Sequence, residues 1–380
     1  GNNLLSGGDG NDSVSAIGYY KLQYVNGFNN SYISYASGNN TLNGGAGDDA
    51  LNVSYSIGDN LLDGGDGNDI LLASSGYYAI GTSGNNTLNG GAGDDTLGAD
   101  SLPSNNLLSG GDGNDSLSAS GFLDDFDNAS SGNNTLNGGA GDDTLSANGS
   151  TGNNLLDGGA GNDSLSASGT TYIDHTYLSI SGYTSGNNTL NGGAGDDRLF
   201  AEISAGDNLL SGGDGNDTLS ASRYNYFSTY FDTSGDNTLK GGAGGDRLLA
   251  DNSTGNNLLD GGDGNDFLSA NNSTGDNLLC GGNGNDTLIG GTGNNTLSGW
   301  DGNDSFSIYA SSALVTQTVD GGTGDDLLTI YVNVSEGITT TFNATTSIGA
   351  IAAGTRLVSY KNIEGLSITG TAYDDYIVGN

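Results

Sequence analysis

Positive charge is what this chain most lacks. Its 380 residues hold 7 Lys or Arg against 45 Asp or Glu, a formal net charge of −38. Such a surface repels phosphate and anionic lipid, which excludes a basic nucleic-acid interface and polybasic membrane binding. One cysteine, Cys280, and one histidine, His175, exclude an intramolecular disulfide framework, a Cys-based zinc site and multi-histidine metal centres. Oxygen-only coordination is left. There is one Pro and no Met, and no apolar run approaches the length of a membrane-spanning helix, so no membrane insertion is expected. The nucleophile elbow, the zincin helix, the Walker A loop and Cys/His nucleophile pairs are all missing, and no enzyme is read here.

What the chain has is Gly, 71 residues of it, and Asp; only Glu202, Glu336 and Glu364 among the acids are Glu. These are turn-forming and oxygen-ligand residues, and they recur. The string G-N-N-x-L-x-G-G-x-G-x-D-x-L begins at or near residues 1, 38, 58, 84, 104, 132, 152, 186, 206, 235, 255 and 275. Within each copy the spacing is nine, as in Gly38-Asn39-Asn40-Thr41-Leu42-Asn43 followed by Gly44-Gly45-Ala46-Gly47-Asp48-Asp49-Ala50-Leu51-Asn52. Further nonapeptides run from Gly281 to Ser307 and from Gly321 to Thr329, and a weaker one from Gly370 to Val378. Two nonapeptides make one coil.

The Gly positions suit a turn that needs positive φ and close backbone approach. Position eight is Leu almost throughout, on one half-coil Leu51, Leu71, Leu97 and their successors, on the other Leu42, Leu62, Leu88 and theirs. Two stacked Leu ladders are therefore predicted to form the core. A disordered Gly/Asn/Asp linker would have no reason to hold Leu at fixed offsets.

These nonapeptides resemble the RTX (repeats-in-toxin, haemolysin-type) glycine-rich calcium-binding family, over about residues 1–329. The resemblance implies a six-residue turn followed by a three-residue strand in each nonapeptide. It further implies an all-β fold, a right-handed parallel β-roll (β-solenoid), here of about fourteen coils and roughly 65 Å long. Calcium would lie between successive turns, held by the Asp at turn position six and by backbone carbonyls. In this chain position six is Asp on one edge: Asp12, Asp49, Asp69, Asp95, Asp115, Asp143, Asp163, Asp197, Asp217, Asp246, Asp266, Asp286, Asp304 and Asp326. The opposite edge departs from the family's two-sided pattern and carries Asn, from Asn3 and Asn40 to Asn277 and Asn295. That edge is expected to be metal-poor and held by side-chain amide ladders. A second carboxylate on the Asp edge moves between position three (Asp9, Asp66, Asp112) and position five (Asp48, Asp94, Asp142), as an extra ligand or a tuner of affinity. With a core one Leu layer thick beside stacked carboxylates, folding is expected to be coupled to cation binding.

Extra residues enter always after the Asp-edge strand, so the insertions emerge on one side. They are aromatic: Tyr19, Tyr20 and Tyr24 in the first, Tyr172, Tyr177 and Tyr183 in the fourth, Tyr224, Tyr226 and Phe227 in the fifth. Position seven of the Asn-side strand alternates Thr (Thr41, Thr87, Thr135) with Leu (Leu61, Leu107, Leu155) and should point outward. That row is covered either by the Tyr loops or by another molecule. His175 reads as solvated, and Cys280 as a replacement at a polar site.

The domain plan expected is a roll over 1–329, a β-rich interruption or partial cap over 330–369, and a final nonapeptide over 370–380. Neither end reads as finished, which anticipates more chain or end-to-end stacking of subunits. The function expected is a secreted calcium-binding structural protein, extracellular or at the cell surface, self-associating in a layer, filament or matrix. The alternatives are the calcium-dependent module of a secreted enzyme or toxin, and an adhesin whose Tyr loops bind glycan.

Overall fold

The computed structural model describes residues 1–17, 19–25, 28–34, 36–74, 84–101, 103–121, 132–169, 172–173, 180–181, 186–222, 235–310, 315–332, 337–343, 348–353 and 356–369. The chain divides into two compact units, Gly1–Ala194 and Gly195–Asn380. Each is a parallel β-roll. Among the described residues there is no helix, hence none long and apolar enough to cross a membrane.

In the first unit, strands Asn3–Asp9, Asn40–Ala46, Asn60–Asp66, Asn86–Ala92, Leu107–Asp112, Thr135–Ala140, Leu155–Ala160 and Thr189–Ala194 pair in parallel, each with the next. A second sheet stacks three-residue strands from Ser13–Ser15 to Ser164–Ser166 in the same way. The register is one coil per step, so Leu62 lies on Leu88 and Leu71 on Leu97. Like residues therefore stack upon like.

The second unit repeats the plan. Leu209–Asp214, Thr238–Ala243, Leu258–Asp263, Leu278–Asn283, Asn295–Asp301 and Thr316–Thr323 form one ladder. The short strands from Arg198–Phe200 to Thr287–Ile289 form the other, which continues into the longer Ser305–Ala310 and Leu327–Val332. Beyond this the chain makes an antiparallel pair, Ile338–Asn343 with Ile348–Ala353, and Arg356–Lys361 returns to lie parallel to Thr316–Thr323. Gly365–Thr369 then adds to Leu327–Val332.

The strands divide the repeat differently from the six-plus-three expectation. The longer strand starts at position six or seven of the Asn half and runs through the Gly-Gly pair, as Asn60–Asp66 and Leu107–Asp112 do, so in the former only Gly67-Asn68-Asp69 turns the corner. The reason is that the Gly pair joins the ladder itself: Gly65 pairs Gly91 at a positive φ of 112°. A Cβ at Gly65 would collide with the Gly45 carbonyl of the neighbouring coil, so only Gly allows this approach.

Both Leu ladders are sealed inside, Leu42, Leu62, Leu71, Leu88 and Leu108 among them with no exposed surface. The core has a third column, two residues after each short-strand Leu, formed by Val53, Ala73, Ala99, Ala119, Ala147 and Ala167 in the first unit and Ala201, Ala221, Ala250 and Ala270 in the second. These follow the short strands and pack where the chain bends back toward the Asn edge. Of the expected outward row, Leu61, Leu107, Leu155 and Leu209 keep 39–45% of their surface, Leu258 is half-buried, and Leu278 on the next coil is 40% exposed.

Of the aromatic insertions, the first contains an antiparallel pair, Tyr19–Val25 with Phe28–Ser34, and the fourth a short one, Tyr172–Ile173 with Ile180–Ser181. The loops at 75–83, 122–131 and 223–234, His175, and the final nonapeptide at 370–380 lie outside the described residues.

Candidate metal centre

The two edges of each roll use one backbone plan with two side chains. On the Asn edge Asn3 is exposed, the position-six amides from Asn40 to Asn295 are buried, and within each unit Nδ2 donates to the Oδ1 of the Asn one coil on. Asn40 reaches Asn60 at 2.7 Å, Asn60 reaches Asn86 at 2.8 Å, Asn237 reaches Asn257 at 3.0 Å and Asn257 reaches Asn277 at 2.7 Å. The same Nδ2 donates to the Gly carbonyl two residues back, as Asn60 to Gly58 at 2.7 Å. Donors and acceptors are matched in this amide ladder, as the sequence reading expected of the Asn edge. Its last rung is Gln317, whose Oε1 accepts from Asn295 at 2.9 Å.

On the Asp edge the first carboxylate oxygen does the equivalent work. Oδ1 accepts the backbone N–H of the Asp on the neighbouring coil, Asp49 to Asp69 at 2.7 Å, Asp115 to Asp143 at 2.7 Å and Asp266 to Asp286 at 2.8 Å. Asp49, Asp69, Asp95, Asp115 and Asp143, like Asp217, Asp246, Asp266, Asp286, Asp304 and Asp326, are no more than 2% exposed. The second oxygen, Oδ2, of these residues and of Asp12 is buried with no donor in reach. Where Asn supplies an N–H, Asp supplies another acceptor.

That oxygen faces more acceptors. A Cβ placed on Gly138 would meet both Asp143 Oδ2 and, at 2.6 Å, the Gly158 carbonyl of the next coil. Gly64 is flanked in the same way by Asp69 Oδ2 and the Gly90 carbonyl, Gly90 by Asp95 Oδ2 and the Gly110 carbonyl, and Gly158 by Asp163 Oδ2 and the Gly192 carbonyl. A carboxylate oxygen and a main-chain carbonyl thus converge beside a position kept free of side chain. Two buried acceptors side by side repel unless a cation or a proton lies between them. Asp197 holds the same turn position at the start of the second unit, with its N–H given to Asp217 Oδ1 at 2.8 Å.

The electrostatics of these groups follows from the same burial. Burial, and then the neighbouring carboxylates, push Asp95, Asp143, Asp217, Asp246, Asp266, Asp286 and Asp304 up to about 6 and Asp115 up to about 7, against the lowering effect of the backbone N–H each accepts. Asp69, Asp163 and Asp326 shift in the same direction for the same first cause.

The second carboxylates take another part. Those at position five are exposed and cap the next coil: Asp48 Oδ1 accepts from Asn68 N–H at 3.0 Å, Asp94 Oδ1 from Asn114 N–H at 2.7 Å and Asp142 Oδ1 from Asn162 N–H at 2.8 Å. Asn serves equally in alternate coils, since Asn114 Oδ1 accepts from Asp142 N–H at 2.7 Å. The position-three carboxylates Asp9, Asp66, Asp112, Asp214, Asp263 and Asp301 are exposed. Among the described residues no three or more His, Cys, Asp or Glu side chains gather as a metal-holding group. Any ion held here draws on one buried carboxylate per turn and on main-chain oxygen, a hard donor set suited to calcium.

Sequence reasoning missed one member of this column. Glu364, outside any nonapeptide, accepts the Asp326 N–H on Oε2 at 2.9 Å, the place that Asp326 Oδ1 takes for Asp304 at 2.8 Å.

No curated protein matches the chain. A family model described as the RTX calcium-binding nonapeptide repeat does, over residues 1–16, 36–53, 56–77, 78–101, 103–125, 120–149, 146–169, 184–203, 204–223, 229–253, 253–275 and 281–307. With Gly-cleared cradles, a buried Asp column and parallel stacked coils in both units, the chain belongs to the RTX calcium-binding nonapeptide repeat family.

Proposed function

We propose that the chain is a calcium-dependent structural scaffold whose folded state is held by calcium along the Asp edge. The observation that carries this is the run of buried Oδ2 atoms without donors, twelve of the fourteen shown beside a carbonyl. The residues that hold the ions are Asp12, Asp49, Asp69, Asp95, Asp115, Asp143, Asp163, Asp197, Asp217, Asp246, Asp266, Asp286, Asp304 and Asp326, with main-chain carbonyls of the Gly turns. Calcium bound there supplies positive charge between acceptors. The protein's own contribution is to bury one carboxylate oxygen per turn and to keep a Cβ out of its way. The position-five side chains fix the turn backbone and the exposed position-three carboxylates set the local potential, so both tune affinity without ligating.

The scaffold works outside the cell, where millimolar calcium fills weak oxygen sites, and the acidic chain crosses low-calcium compartments unfolded. It self-associates laterally through the outward Leu row of the longer-strand sheet, a regular apolar stripe between polar columns. We assign it no catalytic step. Far-ultraviolet circular dichroism of calcium-stripped protein through a calcium titration, with bound calcium and light scattering on the same samples, tests the reading. The β signal is expected to rise with bound calcium, and scattering with it. A β signal that is complete in stripped protein would overturn calcium-held folding, and a roll that forms without scattering would overturn the assembly.

A further inference from the structure

Among the described residues the carboxylate column ends on residues that are not part of the repeat. In the last full coil six residues lie between Asp320 and Leu327, Gly321-Gly322-Thr323-Gly324-Asp325-Asp326, the first three of them still in strand Thr316–Thr323. The next crossing has three, Asn362-Ile363-Glu364, because Lys361 pairs with Asp320 and Gly365 with Leu327. The shortened turn needs a left-handed residue, and Asn362 takes a φ of 52°.

Despite the deletion, the crossing reproduces three polar roles of a repeat turn. Gly365 N–H donates to the Asp326 carbonyl at 2.7 Å, as Leu327 N–H does to the Asp304 carbonyl at 2.8 Å. Asp326 N–H donates to Glu364, whose side chain is one methylene longer than Asp and so spans the shorter turn. A Cβ on Gly321 would meet Asp326 Oδ2 and the Asn362 carbonyl, the pairing that Asp304 Oδ2 and the Gly321 carbonyl make around Gly299. Asp326 is 1% exposed and its Oδ2 has no donor. The turn is tied down by Asn362 Nδ2 donating to Asp320 at 2.8 Å, by Lys361 on Asp320 at 2.6 Å and by the buried Ile363.

We infer that Asp326, the Asn362 carbonyl and the Glu364 carboxylate form a terminal calcium site that clamps the closing segment 356–369 onto the second roll. The inference rests on the calcium reading of the Asp edge and adds to it a ligand set outside the nonapeptides. Glu364 is exposed and its other oxygen is open to an ion at the end of the column. Docking of the closing strands therefore depends on calcium, which makes them the part of this unit that opens first as calcium falls.

The test uses the full chain and Glu364→Gln, which keeps an oxygen to accept the Asp326 N–H and removes the charge. Bound calcium by equilibrium dialysis and amide exchange by mass spectrometry are measured at saturating calcium. The expected result is one calcium fewer per chain, and exchange over 357–369 faster by about tenfold or more, the change given by losing about 1.4 kcal/mol, with 238–301 as protected as in the wild type. Equal stoichiometry and equal exchange over 357–369 would overturn the clamp while leaving the calcium reading of the column intact; a wild type that binds no calcium would sink both. Should Glu364→Gln lose protection over 238–301 as well, Glu364→Asp decides: it keeps the charge but not the reach, and is expected to open 357–369 alone. Wild-type exchange and stoichiometry in that variant would overturn the clamp.

Discussion

Asp143 shows how much one atom changes. Its Oδ1 is matched, accepting from Asp115 N–H, and its Oδ2 is an acceptor among acceptors, whereas Asn134 on the opposite edge presents Nδ2 to Asn154 Oδ1 at 3.1 Å. Asp143→Asn should therefore have effects of opposite sign in two solutions. Without calcium the amide can donate to the Gly158 carbonyl, and the variant is expected to gain about 1–3 kcal/mol, the cost of a buried unsatisfied group. With calcium it is expected to bind less metal and to be less stable than the wild type. Denaturant midpoints in both solutions check this, and equal signs would refute the metal role of the column. The pH dependence follows from the same atoms. Burial raises Asp95, Asp143, Asp217, Asp246, Asp266, Asp286 and Asp304 to about 6 and Asp115 to about 7, above the unfolded value near 4. A group raised on folding contributes stability that is fully present below the unfolded value and is lost as pH rises through the folded one. Calcium-stripped protein should therefore gain β signal as pH falls from about 8 toward 5. In calcium the trend reverses, because protons compete for the same oxygen. Circular dichroism of metal-stripped and calcium-loaded samples across that range would show both trends or dismiss them.

The ladders differ in what they ask of solution conditions. The Leu ladders are apolar and fully sealed, so Leu145→Ala is expected to cost about 2–5 kcal/mol with calcium or without it. The Asn ladder is neutral and matched. Asn257→Asp would take the Nδ2 donor from the Gly255 carbonyl and set a carboxylate oxygen against Asn277 Oδ1, which keeps the Asn257 N–H and Ser273 Oγ, at a cost of about 1–3 kcal/mol in calcium-free solution. That is the reverse of the gain expected from Asp143→Asn, and thermal melts of the two variants compare them directly. Much of this was legible from a period of nine: both Leu ladders, the Asp column, the Asn column and the outward Leu row all fall at fixed offsets. The Ala column falls at a fixed offset too, Ala73, Ala99 and Ala119 each two residues after Leu71, Leu97 and Leu117, but one place beyond the ninth residue of the repeat, so a count of nine passes it over. The extension of the strand through Gly-Gly was hidden by reading glycine only as a turn former, although Gly65 is also the sole residue that fits against the Gly45 carbonyl. Gln317 and Glu364 escaped for a related reason. Each closes its ladder with the one-methylene-longer homologue of the residue it replaces, and the three-residue deletion before Glu364 puts it out of phase with every nonapeptide. The first Gln after Asn295 is Gln317, but the first Glu after Asp326 is Glu336, so only the hydrogen bond from Asp326 N–H singles out Glu364.

The charge of the entire chain decides which ions can serve. Stacked coils bring carboxylates of the Asp edge to about the strand spacing of 4.7–4.9 Å, while the screening length at physiological salt is about 8 Å. Monovalent salt is thus too diffuse to neutralise one carboxylate against the next, and the buried Oδ2 atoms lie out of its reach altogether. Fourteen divalent ions, one for each Asp of the column, would cancel 28 of the 38 negative charges where they are densest. Magnesium carries the same charge but holds its water and demands octahedral geometry at about 2.0–2.1 Å, which a site of one carboxylate and main-chain carbonyls supplies poorly. Small-angle scattering should then separate the ions by kind as well as by charge. In chelator, with or without about 0.15 M sodium chloride, the 380-residue chain is expected near the unfolded radius of gyration of about 70 Å. Millimolar magnesium should change it little, and millimolar calcium should collapse it together with the appearance of β signal. Equal compaction by magnesium, or by sodium chloride alone, would show that charge screening folds the rolls and that the cradles beside the Gly carbonyls select no ion.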